Sequence, residues 1–110
     1  MKLSEFLTEK RWAKGIFVNF YVKSSGDVIP ILIEEATDDC YFCLSGAIAY
    51  LKYKYANKES YYTNIRKIII NIIGNIPDWN NAEETKFKDV LEVILKAEKI
   101  IESRDFGSNV

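Results

Sequence analysis

Between Tyr62 and Pro77 the chain is constrained more tightly than anywhere else. Tyr62, Ile65, Ile69, Ile72 and Ile73 fall at spacings of three and four, and Gly74-Asn75 with Pro77 closes the run. The spacing gathers apolar side chains on one helical face, and those closing residues are the ones that end a helix. A helix with one apolar face must lay it against other elements, so the rest of the sequence has to supply them. Leu3, Phe6 and Leu7 predict a short N-terminal helix through about Trp12, with Gly15 as its stop. Thr37, Asp38 and Asp39 offer N-caps for a helix running to about Ala56, with Phe42, Leu44, Ala47, Ile48 and Leu51 on its apolar side. Beyond the loop Asp78-Trp79-Asn80-Asn81, the residues Phe87, Val90, Leu91, Ile94, Leu95 and Ile101 predict a last amphipathic helix capped by Asn81 or Thr85.

One stretch has a different period. Ile16, Val18, Phe20 and Val22 alternate with Phe17, Asn19, Tyr21 and Lys23, Ser24-Ser25-Gly26-Asp27 makes a turn cluster, and Val28 to Ile33 is rich in β-branched residues. Alternation of period two bounded by turn residues predicts a hairpin, with Pro30 holding the second strand to an edge. The expected fold class is therefore α+β: a small β-hairpin packed against a bundle of about four helices, mainly helical. A chain of 110 residues holds one core. Residues 1–103 form a single compact domain, and 104–110, which lack any period, form a loose tail. An isolated hairpin is marginal, so it packs on the bundle or pairs across a homodimer.

Fifteen Lys and Arg against sixteen Asp and Glu leave a net charge of -1, without the basic excess that drives binding to a phosphate backbone. There is no histidine, which removes Ser-His and Cys-His nucleophile pairs, histidine-ligated metals and an imidazole pH switch. Charges at Glu5, Glu9, Lys10 and Arg11 interrupt any export signal, and no apolar run approaches the roughly 18 to 20 residues that span a bilayer. The expectation is a cytoplasmic protein without cofactor or metal. Cys40 and Cys43, the only cysteines, read as free thiols there.

Cys40-Tyr41-Phe42-Cys43 has the C-x-x-C spacing, which on a helix brings the sulfurs to one face, but Asp38 and Asp39 oppose a thiolate and two thiolates leave a zinc half-ligated. Small residues at Gly46 and Ala47 allow another backbone to approach, as tight packing or as the floor of a pocket with Cys43 on its rim. From Tyr50 to Lys67, five basic residues meet the single Glu59 and are interleaved with tyrosines, a pattern that suits single-stranded nucleic acid or an ordinary helix with basic residues toward its C-terminal end. Trp79 beside Asn80 and Asn81 can hold a polar ligand, or plug the fold while the amides cap the next helix.

Trp12 with Gly15, Gly26, Ala36, Cys43-Leu44-Ser45-Gly46-Ala47, Trp79-Asn80, Thr85 with Val90 and Leu91, and Ala97 together resemble a family of small bacterial and phage-encoded proteins of unknown function. That family's pattern carries an Asp after Trp-Asn where this chain has Asn81, which removes a carboxylate, and it does not include Cys40. The resemblance implies a compact domain in which the Cys-Leu-x-Gly-Ala helix and the Trp-Asn loop come together.

These readings lead to a non-enzymatic domain that binds a protein or small-molecule partner, as a phage or mobile-element accessory factor acting on a host component would. Its expected site joins Trp79, Asn80, Asn81, Cys43, Gly46 and Trp12. Two alternatives compete with it. One is a thiol enzyme using Cys43, with Asn80 as an orienting or oxyanion partner. The other is a nucleic-acid module using Lys52, Lys54, Lys58, Arg66 and Lys67, which the neutral total charge disfavours.

Overall fold

The computed structural model describes the backbone of residues 1–14, 20–24 and 27–108, and the side chains of residues 1–14 and 32–103. Among the described residues five helices organise the fold: α1 (Leu3–Phe6), α2 (Leu44–Lys54), α3 (Glu59–Ile73), α4 (Ile76–Asn81) and α5 (Phe87–Ser108), with single 3-10 turns at Ile33–Glu35 and Ala56–Lys58. The expected α+β class is corrected to an all-α fold. Every buried side chain among the described residues belongs to a helix or to a connection between helices. The most extensive packing between helices is α3 on α5 and α2 on α3. Phe20–Ser24 and Asp27–Ile31 do run antiparallel, with Val22 opposite Ile29. Two extended segments bonded to each other make no sheet layer for helices to cover, so the alternating pattern specifies a local pairing and not a fold class. Gly15, the expected first-strand residues 16–19 and the turn at Ser25-Gly26 lie outside the described residues.

The helix expected to run from Leu3 to Trp12 ends at Phe6, because Leu7 turns extended and the chain folds back at Thr8, whose carbonyl accepts from the Arg11 and Trp12 amides at 3.0 and 2.9 Å. Arg11 seals that end, since its Nη1 donates to the Phe6 carbonyl at 2.8 Å and its guanidinium lies 4.8 Å from the centre of the Phe6 ring. Phe6, Phe42 and Tyr50 then cluster in the core at 5.0 to 5.5 Å between ring centres, with Phe6 stacked on Tyr50 and edge-on to Phe42. Ser4 anchors α1 to α5, with its amide and hydroxyl donating to the buried Glu98 carboxylate at 3.0 and 2.6 Å.

The start of α2 is also corrected, from Thr37–Asp39 to Cys43. The Phe42 amide donates to the Arg11 carbonyl at 2.7 Å and the Ala13 amide donates to the Phe42 carbonyl at 2.9 Å, a parallel bridge that holds residue 42 extended. A helix cannot pass through a residue so held, and Thr37 instead closes a local turn in which its Oγ1 accepts from the Asp39 amide at 3.3 Å. Cys43 takes over as the cap, its sulfur accepting from the Gly46 amide at 3.2 Å.

At the end of α3 the expected stop is present: Gly74 has φ of +82°, and its amide donates to the Ile70 carbonyl at 2.8 Å. Beyond its chain neighbours, no atom of the described residues lies within 4 Å of where a Cβ would stand, so backbone conformation and not crowding demands glycine there. The next residues form a helix in place of the expected loop. Asn75 caps it by accepting from the Asp78 amide at 2.9 Å, and Pro77 sits in the first turn of α4, where its missing N–H costs nothing. Thr85 does not cap α5; its hydroxyl turns back and donates to the Trp79 carbonyl at 2.7 Å, while Asp89 accepts from the Lys86 amide at 3.0 Å. Along α5 the buried stripe is Val90, Ile94, Ala97, Glu98 and Ile101, and Leu95 stands half exposed. The helix continues to Ser108, into the segment that carries no sequence period.

Candidate functional site

Asn80 is the centre of the polar arrangement that the sequence singles out. The α4 turn carries it inward, where it has no exposure to solvent. Its Oδ1 accepts from the Trp12 indole Nε1 at 2.7 Å and from the Leu44 amide at 3.1 Å, and its Nδ2 donates to the Ala13 carbonyl and to Asn81 Oδ1, both at 3.1 Å. An amide side chain has two acceptor positions and two donors, and all four are engaged inside the protein. One residue thus ties three segments together: the Trp12-Ala13 strap, the first amide of α2, and α4. Trp12 is held further by Phe87, with ring centres 6.0 Å apart.

Cys43 and Gly46 adjoin this clamp through the first turn of α2, and both are buried. Burial pushes the Cys43 thiol above its ordinary value, against a smaller downward pull from the backbone amides of Gly46 and Ser45. A nucleophilic cysteine needs the opposite balance together with access to a substrate, so the geometry gives the thiol-enzyme alternative no support. Cys40 is also buried and free; its sulfur accepts from the Thr37 amide at 3.3 Å in the turn ahead of the helix. The C-x-x-C pair therefore does not share one helical face. Among the described residues no group of three or more carboxylates and thiols is placed to hold a metal ion.

Trp79 parts from its neighbours. Successive helical residues point about 100° apart, so the turn that buries Asn80 directs Trp79 elsewhere. The half-buried indole lines an open groove of about 320 Å³ with Ile72 and Ile73 of α3 and Asp89, Glu92, Val93 and Lys96 of α5. Of the six expected site residues, then, Trp12, Asn80, Asn81, Cys43 and Gly46 form one node within the fold and Trp79 belongs to a separate surface.

The basic segment divides as well. Lys54 is held by Asp38 at 2.7 and 2.9 Å, and Lys52 lies 3.8 Å from Glu59. Arg66 and Lys67 instead border a groove of about 340 Å³ between α2 and α3, lined also by Ser45, Ile48, Ala49 and Lys52. Residue types alone do not reveal this groove. Its signal is the antiparallel pairing of two helices joined at Tyr55–Lys58, which sets Ile48 and Ala49 against Tyr62 and Thr63.

No helix among the described residues is long and apolar enough to cross a membrane. Comparison with protein-family models, with curated proteins and with solved structures found no match to this chain. The roles of the Cys-Leu-x-Gly-Ala and Trp-Asn motifs consequently rest on their geometry.

Proposed function

We propose that this protein is a small non-enzymatic domain that binds a protein or small-molecule partner at the Trp79 groove. One observation carries the reading: Asn80 spends its full hydrogen-bonding capacity inside the fold while the adjacent Trp79 lines an open groove. The saturated node supplies rigidity, and the groove supplies a contact surface. Its floor of Ile72, Ile73 and Val93 offers apolar area, its rim carries Asp89, Glu92 and Lys96, and an indole adds a large rigid face with one polar end. The surrounding residues contain no nucleophile and base in the mutual arrangement that acyl or phosphoryl transfer requires, which is why binding is the function assigned.

The two tryptophans make the test internal. Protein labelled with 5-fluorotryptophan gives one fluorine signal from Trp12 in the node and one from Trp79 in the groove. A binder is first detected as an added mass by native mass spectrometry of tagged protein recovered from a cell extract, and is then titrated into the labelled sample. The Trp79 signal shifts and the Trp12 signal stays in place. A binder that moves Trp12 alone, or neither signal, overturns the assignment.

A further inference from the structure

The face formed by α2 and α3 is unusual in its charge. There is no acidic residue on α2 and only Glu59 on α3, while the two helices carry Lys52, Lys54, Arg66 and Lys67. Local roles account for part of this. Lys54 is bound to Asp38, and Lys52 and Glu59 form an exposed pair at 3.8 Å, long enough to be exchanged for another partner. Arg66 and Lys67 make no ion pair with the described residues and stand in the middle of α3, more than a turn from the end where the helix dipole would favour them. The groove beside them is apolar at its base. Ile48, Ala49 and the ring of Tyr62 line it, with the hydroxyls of Ser45 and Thr63. The Tyr62 hydroxyl is turned away, donating to the Met1 carbonyl at 2.6 Å.

The cations sit toward opposite ends of that groove. Lys52 reaches Glu59 at the start of α3, and Arg66 is seven residues further along the same helix, two turns or about 10 Å. We propose that the groove between α2 and α3 docks an acidic amphipathic helix of a protein partner, with carboxylates seven residues apart meeting Lys52 at one end and Arg66 and Lys67 at the other. Apolar residues three and four positions along from the first carboxylate share its helical face, which places them over the half-buried Ala49, with the buried Ile48 beneath it. This surface is distinct from the Trp79 groove, and the inference does not depend on the function assigned there. A single-stranded nucleic acid fits less well, because base stacking needs an open aromatic face and the one ring in the groove, Tyr62, is fully buried.

The test uses the full chain and a fluorescein-labelled, alanine-based helical peptide with glutamates seven residues apart and leucines at the third and fourth positions after the first. Binding is read by fluorescence anisotropy against wild type, Arg66→Glu with Lys67→Glu, and Lys88→Glu with Lys99→Glu as a charge-matched change at two exposed sites on α5. All four altered residues are exposed, so the fold tolerates the changes. The Arg66→Glu, Lys67→Glu double variant should bind at least about tenfold more weakly and the control within about twofold of wild type, since close charge pairs govern such contacts. A peptide with lysines in place of the glutamates should not bind. Equal affinity for wild type and the double variant overturns the proposal. So does an oligothymidine that binds and is released by the same double substitution while the acidic peptide does not bind.

Discussion

Replacing Asn80 with Ala should be strongly destabilising, and the size of the loss can be worked out from the partners left behind. Leu44 is buried, so its amide would lose its acceptor with no route to solvent, at a cost of about 1–3 kcal/mol. Trp12 Nε1 and the Ala13 carbonyl belong to half-buried residues that regain some water, so each loses only about 0.5–1.5 kcal/mol. The sum is roughly 2–6 kcal/mol with a midpoint of about 4, against a total stability of about 5–15 kcal/mol for a chain of this length. In a domain of this size such a loss lowers the melting temperature by on the order of 15 °C. Urea unfolding followed by circular dichroism at 222 nm measures it. The midpoint should fall with the slope unchanged, because the surface exposed on unfolding is nearly the same. Asn80→Leu supplies the control for water entering the vacated space: it fills the volume, keeps water out, and should cost at least as much as the alanine variant. Hydrogen exchange at the Leu44 amide should accelerate in both variants. A loss below about 1 kcal/mol in both would refute the clamp, since it would mean that no buried donor depends on this side chain.

Two further predictions concern charge and protonation. Iodoacetamide should leave Cys43 unmodified in the native protein, tested in a Cys40→Ala background, and should react once urea unfolds the chain; rapid alkylation with a plateau below pH 7 would contradict the buried, raised thiol. The same shift has a consequence for stability. A thiol held protonated in the fold contributes fully below its ordinary value, and the contribution is lost as pH rises above it, because the unfolded chain then ionises first. The hydrogen bond and charge of Lys54, with the Tyr50 hydroxyl at 2.8 Å, hold the Asp38 carboxyl below its ordinary value. Its contribution is present above that ordinary value and is lost as pH falls through the lowered one. Asp38→Asn should therefore flatten the acid limb of the stability profile, and because Lys54 and Asp38 are 37% and 42% exposed, the cost at neutral pH should stay within about 1 kcal/mol. An acid limb that keeps its shape in this variant would assign the decline to other carboxylates.

The sequence pattern was legible wherever a helix is specified locally. The α3 stop depends on one backbone angle at Gly74, and the residues after it name that angle directly. The α2 start was not legible because its competitor is nonlocal: the Trp12–Phe42 bridge joins positions 30 residues apart, and no propensity at Thr37, Asp38 or Asp39 reports that Phe42 is held extended. Fold class failed for a related reason. Period-two alternation identifies two segments that can pair, but whether such a pair becomes a layer depends on what covers its faces, and among the described residues every buried side chain comes from the helices and their connections.

The candidate site was half legible, and the division falls between two adjacent residues. Reading Trp79 and Asn80 as one unit assumes a loop, in which neighbours can converge on one ligand. Asn75 and Pro77 instead begin a helix, and a helix separates consecutive side chains by about 100°. The consequence is a division of labour: Asn80 is committed to binding α2 and the Trp12 strap, and Trp79 is set at the junction of α3 and α5 on the turn that Asn80 fastens to α2 and that strap. The two are then coupled in one direction. Removing the Trp79 indole should leave the Asn80 hydrogen bonds in place, whereas removing the Asn80 amide should loosen the turn that presents the indole. A contact surface that takes its indole from a six-residue helix needs such a neighbour, because a helix of that length has no stability of its own to hold the side chain in position.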